Sequence, residues 1–177
     1  MHIATLDRAG FTARINELLA VYIAAMPAPA GELYGRRLIM TGHSAHPGFT
    51  ALAAMEGDHV AGFCYGFHGA PGQWWHDRVS TALGDRASWL ADCLELAELH
   101  VRPQYQGAGL GSGLLRSLTA GRPEQTVLLS TMDSETVARR MYRAAGFSDL
   151  LTGFLFEGVQ PPYAIMGAKL PLKPSRW

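Results

Sequence analysis

Apolar positions along this chain alternate between a helical and a strand-like repeat. Ile15, Leu18, Leu19, Tyr22, Ile23 and Met26 recur at i, i+3, i+4, i+7, i+8 and i+11, the stripe of an amphipathic helix. Thr12 is its expected N-cap, and Pro27 and Pro29 are expected to end it. A short strand over Ile3 to Leu6 precedes it; a shorter helix over Glu32 to Met40 and a loop over Gly42 to Gly48 follow. Phe49 to Met55 and Val60 to His68 read as strands joined by Glu56-Gly57-Asp58-His59, a hairpin with a Gly- and Asp-containing turn. Cys93 to Val101 is a further strand, and Thr126 to Met132 is the near-continuous apolar run of a central one. Leu110, Leu114, Leu115 and Leu118 predict a helix over Gly109 to Ala120, closed by Gly121 and Pro123. Another is expected over Ser134 to Ala145, with Val137, Met141 and Ala145 on its apolar face and Gly146 as its stop. Leu150 to Glu157 and Tyr163 to Leu170 are the last strands, with Pro161-Pro162 at the turn. Gly69 to Leu90, rich in Gly, Trp and charge, shows no clear period; a helix is expected over Asp77 to Leu83.

The resulting order, β-α-α-β-β-β-α-β-α-β-β, combines hairpins with strand–helix–strand units. It predicts the α+β class, a mixed sheet covered by helices. With 177 residues, the chain suits one compact domain over residues 1–177 with a real core. Charged residues make up 17 %, below the roughly 25 % of typical domains, which excludes disorder. The 15 basic residues balance the 15 acidic ones, so a nucleic-acid surface is not expected. The longest nearly apolar run, Leu18 to Met26, is far short of the ~20 residues of a membrane span. Asp7 and Arg8 interrupt any leader-like stretch. Cys64 and Cys93 both sit in apolar segments, the pattern of reduced, buried thiols, and a cytoplasmic location is expected.

Candidate chemistry concentrates at one junction, Val101-Arg102-Pro103-Gln104-Tyr105-Gln106-Gly107-Ala108-Gly109-Leu110-Gly111-Ser112. A strand ends, a glycine-rich turn follows, and a helix begins. Helix N-termini leave about four N–H groups unpaired and carry a partial positive charge, which suits a phosphate or pyrophosphate. The dinucleotide pattern G-x-G-x-x-G fails in both registers, at Ser112 and at Leu114, and no Lys supplies a P-loop. Taken alone, the turn reads equally as an anion cradle or as a purely geometric device.

The segment resembles the acetyl-CoA-binding loop of the GNAT superfamily of N-acetyltransferases. Leu99-His100-Val101, Pro103 and Gln106 to Gly111 match the family's strand end, proline and Gln/Arg-x-x-Gly-x-Gly/Ala. Ala138 to Phe147 is similar to its A-x-x-x-Y-x-x-x-G-F, and Tyr163 to Leu170 to its last strand. The resemblance implies a mixed, mostly antiparallel sheet of six to seven strands flanked by about four helices. It also implies acetyl-CoA as co-substrate, with its pantetheine arm in a gap between the fourth and fifth strands. Backbone groups of Leu99 and Val101 would pair with that arm, and an N–H within Leu99, His100 and Val101 would face the thioester carbonyl. N–H groups of Gly107, Ala108, Gly109, Leu110, Gly111 and Ser112, after Gln106, would hold the pyrophosphate. Glu135 replaces an Asn that many relatives carry.

Amine acetylation needs a neutral amine, a stabilised oxyanion and a proton for the leaving thiolate. Tyr142 stands where the resemblance implies the general acid. Glu95 and Glu98 lie inside an otherwise apolar strand, where unpaired carboxylates are costly; each reads as a base or cation site, or as half of a salt bridge. His100 is expected to be structural apart from its backbone, and Ser130 is too small to act as a base. His43 and His46 lack a completing ligand, so no metal is expected. Trp74 and Trp75 are expected to wall the acceptor site, with His76 or Asp77 as a polar contact; a homodimer contact is their alternative use. The expected activity is acetyl transfer from acetyl-CoA to a small-molecule or peptide primary amine, directly, in a ternary complex. A non-catalytic acyl-CoA-binding module is the alternative.

Overall fold

The computed structural model describes residues 1–26, 33–157 and 161–173. Pro27, Pro29 and Glu32, expected at the junction of the first helices, lie outside the described residues. The elements run β1 (His2–Leu6), α1 (Arg8–Ala13), α2 (Ile15–Ala25), α3 (Leu33–His43), β2 (Thr50–Glu56), β3 (His59–Gly69), α4 (Trp74–Leu83), β4 (Cys93–Val101), α5 (Leu110–Thr119), β5 (Thr126–Met132), α6 (Val137–Ala144), β6 (Ser148–Phe154) and β7 (Tyr163–Lys169). The strands form a seven-stranded, mostly antiparallel sheet in the order β1-β2-β3-β4-β5-β7-β6. The exception is β4 with β5, parallel, pairing Cys93, Leu94 and Glu95 with Thr126, Val127 and Leu128. That is the α+β class read from the sequence.

The residues pack as two compact units, Met1–Phe67 with Ala97–Leu118 and His68–Leu96 with Thr119–Trp177. In the first, Phe11, Leu18, Val21, Met40, Phe63 and Tyr65 form the core. Phe11 meets Phe49 and Tyr65 edge-on at 5.0 and 5.3 Å, the favoured geometry of ring quadrupoles. In the second, Val79, Leu83, Leu90, Leu128, Leu150 and Ile165 play that part.

Six α-helices occur among the described residues, where about four were expected. One cause is Asp7, not Thr12, as the first N-cap: its Oδ1 accepts the Gly10 N–H at 2.7 Å. The helix therefore starts earlier, and Thr12 lies within α1, donating its hydroxyl to the Arg8 carbonyl. At Arg14 (φ −95°, ψ 8°) the chain leaves helical geometry, dividing the expected helix into α1 and α2. A second difference is α4, which begins at Trp74 and continues as a 3-10 turn over Gly84–Leu90.

The third difference concerns α6. It starts at Val137, with the Thr136 hydroxyl accepting the Arg139 N–H at 3.1 Å. Val137, expected in the core, is 67 % exposed, and Arg139 and Tyr142 are buried instead. Arg139 can be buried because two carboxylates neutralise it, Asp133 at 2.6 Å and Asp149 at 3.1 Å.

Candidate active site

The β4–α5 junction is built from the backbone. Arg102 ties the end of β4 to β3, its N–H donating to the Ala61 carbonyl and its Nε to the Val60 carbonyl, both at 2.9 Å. A 3-10 turn over Pro103–Tyr105 follows, and Gln106 Nε2 donates back to the Val101 carbonyl at 2.8 Å. The Gln106 side chain thus braces the loop. Gly107 (φ 81°) and Gly109 (φ 79°) have left-handed backbone, which residues with a Cβ adopt at a cost of roughly 1–2 kcal/mol. A Cβ built on either would meet nothing within 4 Å. Glycine is needed there for backbone hand, and the space beside it is open to a ligand. The α5 ladder begins with Gly113 N–H to the Gly109 carbonyl at 2.9 Å. The N–H groups of Gly109, Leu110, Gly111 and Ser112 therefore precede it, without intrahelical acceptors. Such a cradle suits a pyrophosphate through N–H groups and the helix dipole.

On β4, Leu99 is half-buried and Val101 buried. The two strand carboxyls are in opposite states. Glu98, in the first unit, is 8 % exposed and doubly engaged: Oε1 accepts from Arg36 Nη1 at 3.0 Å, and Oε2 bonds His100 Nε2. Burial works to raise this carboxyl, but the His100 hydrogen bond and the Arg36 charge outweigh it and hold it below the usual carboxylate range. Glu95, in the second unit, is 4 % exposed, and its Oε2 has no hydrogen-bond partner. Burial pushes it up to about 8, so it is protonated at neutral pH.

Tyr142 is buried on α6, with its ring 5.5 Å from that of Phe147. Glu135, at the position of the family's Asn, is held by Arg143 at 2.6 Å. Trp74 and Trp75, expected to act together, part company. Trp74 is 57 % exposed and lines an open groove with Asp77, Arg78, Thr81, Phe154 and Leu155. Trp75 packs against the second core and donates its Nε1–H to Ser130 Oγ at 3.2 Å. His76 is buried beside Asp77, so of these two only Asp77 lines the groove.

Among the described residues no three His, Cys, Asp or Glu side chains gather to hold a metal. His43 ends α3 and bonds the Tyr65 hydroxyl at 3.0 Å. Cys64 and Cys93 are buried thiols that burial pushes up, Cys93 to about 12. The sequence carries no sign of Arg36 at this site, and the imidazole of His100, expected to be structural, is joined to Glu98 here. That pairing has a local signal: Glu98 and His100 are two residues apart on a strand and share a face. Arg36 lies 62 positions from Glu98, and no local pattern links them.

The model of the acetyltransferase (GNAT) family matches residues 15–147, drawing on both compact units. A GCN5-like protein acetyltransferase of Mycobacterium tuberculosis is 36 % identical over 191 residues, covering 90 % of this chain and 93 % of the relative. Among solved structures, the ribosomal-protein-S18-alanine N-acetyltransferase of Escherichia coli is similar with a TM-score of 0.68 at 16 % identity, over 99 % of this chain and 97 % of its own. An aminoglycoside 6'-N-acetyltransferase complexed with coenzyme A is similar with a TM-score of 0.65 at 18 % identity, over 98 % and 99 %. At these identities the structural likeness speaks for the fold.

Proposed function

Because the chain belongs to the GNAT family of acetyltransferases, whose members use acetyl-CoA, we propose that it acetylates a primary amine by direct attack in a ternary complex. The observation that carries this reading is the glycine cradle: left-handed Gly107 and Gly109, with open space beside them, immediately before α5. Its fit to a pyrophosphate supports Gln106 as the brace and Gly107, Ala108, Gly109, Leu110, Gly111 and Ser112 as donors. Bound acetyl-CoA supplies the activated thioester. The backbone of Leu99, His100 and Val101 lies along the pantetheine arm in this reading, with one N–H turned to the thioester carbonyl.

Tyr142 donates the proton that the leaving thiolate takes up; Glu98, ionised and bonded to Arg36 and His100, serves the amine side, and Glu95, buried with its proton, takes none up there. Trp74, with Asp77 on the same groove, binds the acceptor, and Trp75 supports that wall through Ser130. Residues 1–177 act as one acetyltransferase domain, supported by a family match that crosses both units. Two buried free thiols support a reducing compartment, the cytoplasm. Among the described residues no helix is long and apolar enough to cross a membrane.

The test is thiol release from acetyl-CoA with a lysine peptide, a peptide with a free N-terminus and an aminoglycoside. Release with at least one is expected. Coenzyme A binding without release from any would favour the acyl-CoA-binding module.

A further inference from the structure

Neither carboxyl of β4 is open to take a proton at neutral pH. Glu95 already carries one. Glu98 has both oxygens occupied, Oε1 by Arg36 Nη1 at 3.0 Å and Oε2 by His100 Nε2. An ionised carboxylate only accepts hydrogen bonds, so Nε2 of His100 must carry the hydrogen. In the neutral ring the lone pair then lies on Nδ1, which has no hydrogen-bond partner among the described residues. The ring is well held. Its side chain is 9 % exposed, with Tyr22 edge-on at 5.0 Å and 82°, and Phe63 at 5.6 Å. The far end of the chain of contacts is fixed as well, because the Arg36 guanidinium lies over the Tyr22 ring at 4.8 Å.

We infer that His100 is the general base of the acetyl transfer, accepting the acceptor's proton at Nδ1, with Glu98 and Arg36 as its positioning residues. The inference rests on the amine acetylation proposed above. The acceptor ammonium gives one proton to Nδ1, which passes it to solvent. The neutral amine attacks the thioester carbonyl; the C–N bond forms and the C–S bond breaks. The proton shed by the new amide nitrogen balances the one taken up by the thiolate, so the net product is acetylated amine, free thiol and one proton. Around Glu98 stand His100 on β4 and Arg36 and His43 on α3, and Arg36 in turn faces Tyr22 on α2 and Tyr65 on β3. Burial holds His43 down at about 4 against the pull of Glu98, so it is neutral at neutral pH. Arg36 stays charged, since Glu98 and the two tyrosines outweigh its burial. Neither residue competes for the acceptor's proton.

The experiment compares the wild-type chain with His100→Gln and Glu98→Gln. The probe is whichever of the lysine peptide, the peptide with a free N-terminus and the aminoglycoside releases thiol from acetyl-CoA. His100→Gln should lower kcat/KM by about 10²-fold or more, with coenzyme A affinity by calorimetry within about twofold of wild type. It should also abolish the fall in rate towards acid pH. Glu98→Gln should lower kcat/KM with coenzyme A affinity unchanged; a purely structural Glu98 would lower the rate without changing the His100 tautomer. Nitrogen-15 NMR, with His100 assigned by its absence from His100→Gln, should show the Nε2–H tautomer in the wild type and its weakening in Glu98→Gln. An unchanged rate and pH profile in His100→Gln, or an Nδ1–H tautomer in the wild type, overturns the base assignment alone. A wild-type chain that binds coenzyme A but acetylates none of the three probes overturns the acetyltransferase reading and the base with it.

Discussion

A glycine at positive φ carries two separable properties, its backbone hand and its missing side chain, and Gly109 allows each to be measured. With φ at 79° and no atom within 4 Å of a built Cβ, Gly109→Ala adds strain of about 1–2 kcal/mol but little bulk. Gly109→Glu adds the same strain plus a negative charge in the cradle. Calorimetry should find coenzyme A affinity at least about tenfold weaker in Gly109→Glu than in Gly109→Ala, since electrostatics separates the two. Equal affinities would remove the loop from the cofactor site. Tyr142→Phe keeps the ring against Phe147 and removes only the hydroxyl. General acid catalysis is worth roughly 10²–10⁴-fold, so kcat should fall at least about tenfold with acetyl-CoA KM little changed. An unchanged kcat, where chemistry limits the rate, would exclude the donor role.

At the scale of an element, the helix expected over Asp77 to Leu83 begins at Trp74 and has two sides. Its inner side, Val79 and Leu83, is buried in the second core, and Trp74 at its start is 57 % exposed beside Asp77 and Arg78. The two tryptophans should therefore fail differently. Trp75→Ala removes a ring packed on the core and a hydrogen bond to Ser130. Thermal unfolding should show a loss of about 2 kcal/mol, below the 3–5 kcal/mol of a fully buried Trp, or roughly 4–8 °C. Trp74→Ala should leave Tm nearly unchanged, raise acceptor KM several-fold, and spare acetyl-CoA KM. If Trp74→Ala instead changes the sedimentation mass and neither KM, the groove is a homodimer contact.

For the whole molecule, Glu95 couples stability to pH. Its carboxyl stands at about 8 in the folded chain, against 4.5 for an ordinary glutamate. Between those values the folded state holds a proton that the unfolded state releases. Stability from this group is fully present below about pH 4.5 and is lost as pH rises through about 8. Glutamine matches the protonated acid in shape and cannot ionise. Glu95→Gln should gain in Tm over wild type on going from about pH 5 to about pH 8.5, by at least about 3 °C, the equivalent of roughly 1 kcal/mol. Parallel Tm curves for the two proteins would show that Glu95 is not buried as a neutral acid.

Local information was sufficient wherever chemistry depends on backbone. The succession of strands along the chain, the hairpin, the class and the glycine turn were legible because side-chain period, turn residues and glycine hand are properties of neighbours in sequence. The first helix was misdivided because two caps competed over a few residues; Asp7 accepted the Gly10 N–H and left Thr12 inside the helix. The face of α6 was misread because Arg139 counts as polar until its two carboxylates are known, and one of them, Asp149, belongs to the next strand. Side-chain states went the same way. The sequence placed Glu95 and Glu98 on one strand but could not tell that one is neutral and the other ionised. That difference comes from desolvation and from Arg36 on a distant helix. Sequence alone determined where a left-handed glycine turn would meet a helix start, since glycine hand and helix start are local. Tertiary structure alone decided which side chain has a nitrogen open to a proton, since burial and long-range pairing set its partners.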